Sequence, residues 1–352
     1  MNLLVSMRYL VALDEHKHFA RAAQACFVTQ PALSNAIRAL ETEFGAPMVK
    51  RGRTFVGFTA EGQRMLVSAR RMLHEQEVLQ QEFSSVGGRP QGSMVLGAVP
   101  SAEPIAARFA AMLQARYPGI TPMVRSMSSA DIETGLENLR LDMGLGFTER
   151  VRPGGLALRT LAQYTEHYFL VGKPEAFDSA ALKQDAMPAG AGAVSGAVAA
   201  ASNRKAAVRL DALAAAAPGL HIGPPITWAQ AATLPLCLMA PEMHNRQIVN
   251  AAFTQAGAAV RPAMETNSIL TLSLSALGGT VCSVMPGALV GAMRAHSNLI
   301  ARPLSSPAVH TPIGFLLLPS ERISRTLEAA LTLAQDAAWL RHAAAHSGLL
   351  VV

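Results

Sequence analysis

The sequence predicts an α/β chain of more than one domain, headed by a small basic helical module. Three observations carry this. Residues 19–40 hold two apolar patterns at helical spacing, separated by a break. Residues 59–86 hold a long apolar stripe that runs into Gly87-Gly88-Arg89-Pro90-Gln91-Gly92. From residue 92 onward, short apolar runs alternate with helical periodicity, the pattern of a doubly wound sheet. The chain has 352 residues, 50% of them apolar, enough for two or three domains with sizeable cores.

In order, Leu3, Met7, Leu10 and Val11 mark a first helix. Phe19, Ala22, Ala23 and Cys26 give the second an apolar face, and its alanines let another helix approach closely. Cys26-Phe27-Val28 breaks that helix. Thr29 is placed to cap a third, with Pro31 in its first turn, where the missing N–H costs little. Leu33, Ile37 and Leu40 then face inward. The outer face shows Gln30, Ala32, Ser34, Asn35 and Arg38. Amide, hydroxyl, methyl and guanidinium groups on one face suit base edges and phosphates, and they equally suit a solvated helix surface.

Phe44-Gly45-Ala46-Pro47 ends the third helix. Met48-Val49, then Lys50-Arg51-Gly52-Arg53, then Thr54 to Phe58 read as strand, basic turn and strand, which is the pattern of a wing. Lys50, Arg51 and Arg53 at its tip would flank a phosphate backbone. Between Lys17 and Arg71 there are nine Lys/Arg and three Asp/Glu, a balance of +6 that equals the net charge of the whole chain. Basic charge gathered in one small module is the footprint of a nucleic-acid binder.

These residues resemble the LysR-type transcriptional regulators. The resemblance rests on Phe19 to Glu41, with Thr29-Gln30-Pro31-Ala32-Leu33-Ser34 and Ile37-Arg38-Ala39-Leu40-Glu41 at its core, then Gly45 to Arg51 and Thr59-Ala60-Glu61-Gly62. The family usually carries Leu-Phe where this chain has Met48-Val49. The resemblance continues more weakly to about residue 330. It implies a winged helix-turn-helix over 1–58 and a dimerisation helix and hinge over 59–91. It also implies an effector-binding domain over 92–330, built like a periplasmic solute-binding protein. Subdomain I is placed at 92–165 and 269–330, subdomain II at 166–268, and a C-terminal helix or tail at 331–352. Residues 180–222, rich in Ala and Gly, read as an insertion.

The long helix fits dimer pairing. Thr59 can cap it, Glu61 suits its positive end, and Met65, Leu66, Ala69, Met72, Leu73, Leu79 and Phe83 form its stripe. The small head is too short to cover a stripe of this length. Further on, strands are expected at Ser93–Val99, Ile120–Met127, Leu141–Phe147, from Thr165 to Val171, Leu234–Met239, Arg261–Glu265, Thr280–Met285 and Ile313–Leu318. Helices are expected at Glu103–Tyr117, Asp131–Arg140 and Asn267–Leu277.

Ligands of open α/β sheets bind beyond the carboxyl ends of strands. Pro100-Ser101, Ser128-Ser129 and Thr266-Asn267-Ser268 supply hydroxyls there, at points where helices begin and anions are favoured. Phe147 and Thr148 would line the same cleft. Arg246 would meet an anionic ligand or pair across the subdomains. A small anion or carboxylate is the expected effector class.

Cys26, Cys237 and Cys282 are scattered, with no C-x-x-C, so neither a zinc site nor a disulfide framework is expected. A cysteine-based redox regulator is the alternative, and a solute-binding protein a weaker one. The sequence shows no G-x-S-x-G, no phosphate-binding glycine loop and no H-E-x-x-H, so no enzyme, metal or cofactor is expected. Arg8 and Asp14 interrupt the first apolar stretch, so no export signal is expected. Double-stranded promoter DNA, a small anionic effector, a second copy of the chain in a dimer or tetramer, and RNA polymerase are the expected partners, in the cytoplasm at the nucleoid.

Overall fold

The computed structural model describes residues 2–50, 52, 54–84, 89–150, 158–177, 219–320 and 322–347. The hinge glycines Gly87 and Gly88 and the body of the Ala/Gly-rich insertion lie outside them.

The head is three helices, α1 (Leu3–His16), α2 (Phe19–Ala25) and α3 (Gln30–Glu43), closed by the start of α4 (Ala60–Ser84). Leu10, Leu13, Ala22, Ala23, Leu33, Ile37, Leu40 and Leu66 form its core. Between α2 and α3 the backbone turns sharply at Phe27, which has a left-handed φ of 57° and is 97% exposed. The wing is smaller than the sequence suggests. Among the described residues its two expected strands show one antiparallel bridge, Val49 to Phe58, with the Lys50 N–H donating to the Gly57 carbonyl at 2.9 Å. Glu41 holds the wing's base by accepting from the N–H groups of Met48 and Val49. Thr59 caps α4, accepting from the Gly62 N–H at 2.9 Å. Gly62 is needed there, because a Cβ would lie 2.0 Å from the Met48 carbonyl oxygen.

The α4 stripe divides into two parts. Leu66 and Ala69 are buried and Met65 packs on the head core, whereas Met72, Leu79 and Phe83 are exposed. One carboxylate joins head, α4 and the next domain. Asp14 of α1 pairs with Lys17, with the buried Arg70 of α4 at 2.6 Å, and with Arg140 from beyond residue 92. Burial alone would raise its pKa, but these three cations hold it below the ordinary range.

Two sheets follow. The first runs β2–β1–β3–β12–β4, from strands β1 (Gly92–Ala98), β2 (Ile120–Ser126), β3 (Met143–Phe147), β4 (Arg159–Glu166) and β12 (Thr311–Leu317). Helices α5 (Glu103–Arg116) and α6 (Ser129–Glu137) cross between its parallel strands. The second runs β6–β11–β5–β10–β8–β9, with β5 at Tyr168–Gly172, β6 at His221–Ile222, β8 at Leu236–Met239, β9 at Met264–Thr266, β10 at Cys282–Pro286 and β11 at Ile300–Ser305. Strand β7 (Ile226–Thr227) pairs with β11 beside it and leads into the short α7 (Trp228–Ala231). Helices α8 (His244–Gln255), α9 (Ile269–Gly278) and α10 (Gly287–Ala292) complete the second lobe's elements.

Two sequence expectations are corrected by the pairing of the strands. The strand expected from Thr165 to Val171 is two strands in different sheets, because the chain crosses between lobes at His167. The return crossing falls between Ser305 and Thr311, so α9, β10 and β11, placed with subdomain I, have their strands in the second sheet. Their apolar runs resemble those of the first lobe, and pairing partners are not visible in a single strand's pattern. Over its described part, the segment 331–352 is largely helical. Helices α11 (Arg325–Ala334) and α12 (Ala337–His346) bury Leu333, Trp339 and Ala343 in the first lobe's core. Trp339 packs edge-on to Phe109 and donates its indole N–H to Gln163 at 2.6 Å.

Candidate nucleic-acid interface and ligand cavity

Helix α3 starts where Thr29 predicts. The Thr29 hydroxyl accepts from the Ala32 N–H at 3.3 Å, and Pro31 sits in the first turn. With Leu33, Ile37 and Leu40 committed to the core, the opposite face is left to solvent. Thr29, Gln30, Pro31, Ala32, Asn35 and Arg38 are exposed and Ser34 is half-buried. Arg38 donates to the Asn35 side-chain oxygen at 3.3 Å, so the guanidinium and amide are presented together. Lys50, in the wing, is exposed, while Arg51 and Arg53 lie outside the described residues.

A second feature lies between the lobes. A cavity of about 90 Å³ is walled by the carboxyl ends of β1, β2 and β3 on one side and of β8 and β10 on the other. This is where ligands of such sheets bind. Pro100, Ser101, Ser128, Ser129 and Phe147 line it. Ser101 and Ser129 are buried, and neither hydroxyl has a hydrogen-bond partner. A buried hydroxyl without a partner costs free energy that a polar ligand would recover. Ser128 differs, because its hydroxyl caps α6 and donates to Asp131 at 2.6 Å.

Thr148, Arg246, Thr266, Asn267 and Ser268 do not line the cavity. Arg246 is a strut within the second lobe. It donates to the Met239 carbonyl at 2.6 Å, to Glu265 at 2.7 Å and to Asn250 at 2.8 Å, so it neither faces a ligand nor bridges the lobes. Ser268 caps α9, Thr266 accepts from the Ser268 N–H, and the Thr148 hydroxyl donates to the Pro312 carbonyl. Asn267 is exposed. For Ser268 and Thr266 a local capping or turn bond takes up the hydroxyl.

Sequence reasoning missed Arg150, Glu242, His244, Asn245 and Gln247, which add one cation, one carboxylate and three further polar groups to the walls. The signal was partly present, since Asn245 opens a helix after a buried strand. His244 packs edge-on to Phe147 across the cleft, ring centroids 4.7 Å apart, and burial holds its pKa below the ordinary value. Asn245 donates to the Tyr168 hydroxyl at 3.3 Å, and that hydroxyl meets Thr311 at 3.4 Å, so a polar chain runs from cavity to crossing strands.

The cysteines do not gather. Cys237 and Cys282 are buried on neighbouring strands, but their side chains pack into separate clusters on opposite faces of the second sheet. Burial pushes the Cys282 thiol up to about 12. Cys26 lies in the head and is also raised by burial. Among the described residues, no group of three or more His, Cys, Asp or Glu is placed to hold a metal, and no helix is long and apolar enough to cross a membrane.

A winged helix-turn-helix head, a long helix and two α/β lobes around a small cavity define a class of multidomain protein. Comparison with known proteins agrees. The profile of the bacterial regulatory helix-turn-helix protein, lysR family, matches residues 4–63, and that of the LysR substrate binding domain matches residues 205–339. The chain belongs to the LysR family. It is 39% identical over 145 residues to the SDS degradation transcriptional activation protein of a Pseudomonas species, covering 41% of this chain and 46% of that relative. It is 35% identical over 140 residues to the hydrogen peroxide-inducible genes activator of Haemophilus influenzae, covering 40% and 46%. These matches span about half the length of the relatives. Full-length OxyR from Pseudomonas aeruginosa has the same fold, with a TM-score of 0.62 at 18% identity over 94% of this chain and 96% of that one. So does CbnR, a LysR family transcriptional regulator, at 0.59 and 16% identity over 97% and 99%, which is also solved with its target DNA.

Proposed function

We propose that this chain is a sequence-specific DNA-binding transcriptional regulator controlled by a small anionic effector bound between its lobes. The observation that carries the reading is the pairing, in one chain, of two features. One is a capped helix with an exposed Gln30–Asn35–Arg38 face. The other is a cavity holding two buried, unpartnered hydroxyls. Thr29 to Arg38 read base edges and the wing residues Lys50, Arg51 and Arg53 hold phosphates. The exposed Met72, Leu79 and Phe83 of α4 pair with the same helix of a second copy, which sets two recognition helices on half-sites one helical turn or more apart. Dimers assemble to tetramers and meet RNA polymerase at promoters, in the cytoplasm.

Effector binding shifts how the lobes sit, and that requires different ligand affinity in two states. A gel shift on DNA flanking the gene, repeated at several salt concentrations, tests the regulator reading. Arg38→Ala should weaken operator binding at least tenfold while leaving effector binding intact, by roughly the loss of one base-reading contact. Binding that shows steep salt dependence without sequence preference would reduce the protein to a nonspecific DNA binder.

A further inference from the structure

Behind the wall of the cavity lies a carboxyl group with no assigned work. Glu166 ends β4, at the entrance to the first crossing between lobes, and is fully buried. Neither of its oxygens completes a hydrogen bond, and it joins no ion pair among the described residues. Its surroundings are weakly polar. Tyr164 and Tyr168 flank it on its own segment, Thr311 of β12 is its partner in register, and the Ala288 N–H and the Ser101 hydroxyl face it from α10 and from the turn after β1. His167, next in the chain, packs edge-on to His310, ring centroids 4.6 Å apart. Ser101 therefore has Glu166 on one side and the cavity on the other, and its own hydroxyl is unpartnered.

A buried carboxyl with no cation to hold its charge is more stable neutral. Burial, the largest influence, pushes Glu166 up to about 8, while the Ala288 N–H and the Ser101 hydroxyl pull the other way. The two protonation states do opposite things to Ser101. As an acid, Glu166 can donate to the Ser101 oxygen, which leaves the serine proton free for the cavity. As a carboxylate, it takes that proton for itself and adds negative charge behind the wall.

We propose that protonated Glu166 is a positioning residue for the effector: through Ser101 it turns a hydroxyl proton toward a bound carboxylate, so that the anion and one proton bind together. This rests on the small-anion reading of the cavity. The balance is simple. Where free Glu166 is ionised, each carboxylate bound takes one proton from solvent onto Glu166. Where it is already an acid, no proton moves. No covalent bond is made or broken.

Acetate, succinate and benzoate are the probes, titrated calorimetrically into the full chain between pH 7 and 9. That window lies above His244 and His167, both held below their ordinary value by burial. The carboxylate that binds should do so about tenfold more weakly at pH 9 than at pH 7, with proton uptake visible as a dependence of the heat on buffer ionisation. Glu166→Gln, whose amide donates to Ser101 at every pH, should hold its pH 7 affinity to pH 9. Ser101→Ala should bind weakly with a flat profile. Wild-type affinity that is constant from pH 7 to 9 would overturn the relay while leaving the anion reading in place, and so would a Gln variant that falls in parallel with wild type. If none of the three probes binds at any pH, the anion reading fails and the relay with it. Should the Gln variant not fold, the buffer dependence of wild type and the Ser101→Ala profile decide.

Discussion

Glu166→Gln also measures what the buried carboxyl costs the fold when no ligand is present. In the unfolded chain this group ionises near 4.5, and in the fold near 8. At about 1.36 kcal/mol per pH unit, ionising it in the fold costs ~5 kcal/mol more than in the unfolded chain. The folded state binds the proton more tightly, so wild type should lose stability as pH rises from about 4.5 to about 8, then level off. The Gln variant carries no such loss. The two proteins should melt together near pH 4.5 and separate steadily above it, with the variant ahead by roughly 10 °C or more beyond pH 8, taking about 2–4 °C per kcal/mol for a domain of this size. Circular dichroism melts of both proteins in pH steps from 5 to 9 make the comparison. Parallel melting curves across that range would show that Glu166 is ionised at no special cost, and the reasoning from its burial would fail.

Other perturbations bear on separate joints. Asp14→Ala should destabilise by about 3–5 kcal/mol in urea unfolding, because Arg70, with 6% of its side chain exposed, would lose its carboxylate. The same pair should make wild-type stability hold above pH ~4 and fall as Asp14 takes up a proton below it. Gly62→Ala forces a Cβ against the Met48 carbonyl, which should cost about 1–3 kcal/mol and weaken operator binding by loosening the wing, read by melting and gel shift. Leu79→Glu puts charge on the exposed stripe of α4, and sedimentation should show the mass of the assembly falling by half; an unchanged mass would remove helix pairing as the dimer contact. Arg246→Ala should lower the melting temperature while leaving carboxylate affinity of the folded protein within about twofold, since its three partners all lie inside the second lobe.

The head was legible because its signals are local. A threonine cap, a proline in the first turn and three apolar residues at helical spacing need no distant partner, and Thr29, Pro31, Leu33, Ile37 and Leu40 sit as their types dictate. The lobes were legible as alternating elements but not as sheets. Strand β10 carries the same apolar run whether it pairs in one sheet or the other, and only the crossing at His167 and the return before Thr311 decide. The cavity was half legible. Ser101 and Ser129 follow the rule that strands deliver residues at their carboxyl ends. Arg246 obeyed the same rule and failed, because a neighbouring acid and a free carbonyl claimed it first. Glu166 was invisible, since nothing in Tyr164-Thr165-Glu166-His167 says which side chain turns inward.

Asp14 sets one anion among three cations, and the arithmetic of that cluster makes two unlike joints. Arg70 is buried with Asp14, so parting them would strand a charge away from water, and α1 and α4 move as a single piece. Arg140 is 38% exposed. When it leaves, Asp14 keeps Lys17 and Arg70, and the guanidinium returns to solvent, a change on the scale of a surface pair at about 0–1 kcal/mol. Arg140 follows the far end of α6, whose first residue, Ser129, stands in the cavity wall. A nine-residue helix, roughly 13 Å long, thus reaches from the ligand's chamber to a contact on the DNA-binding head that is cheap to break.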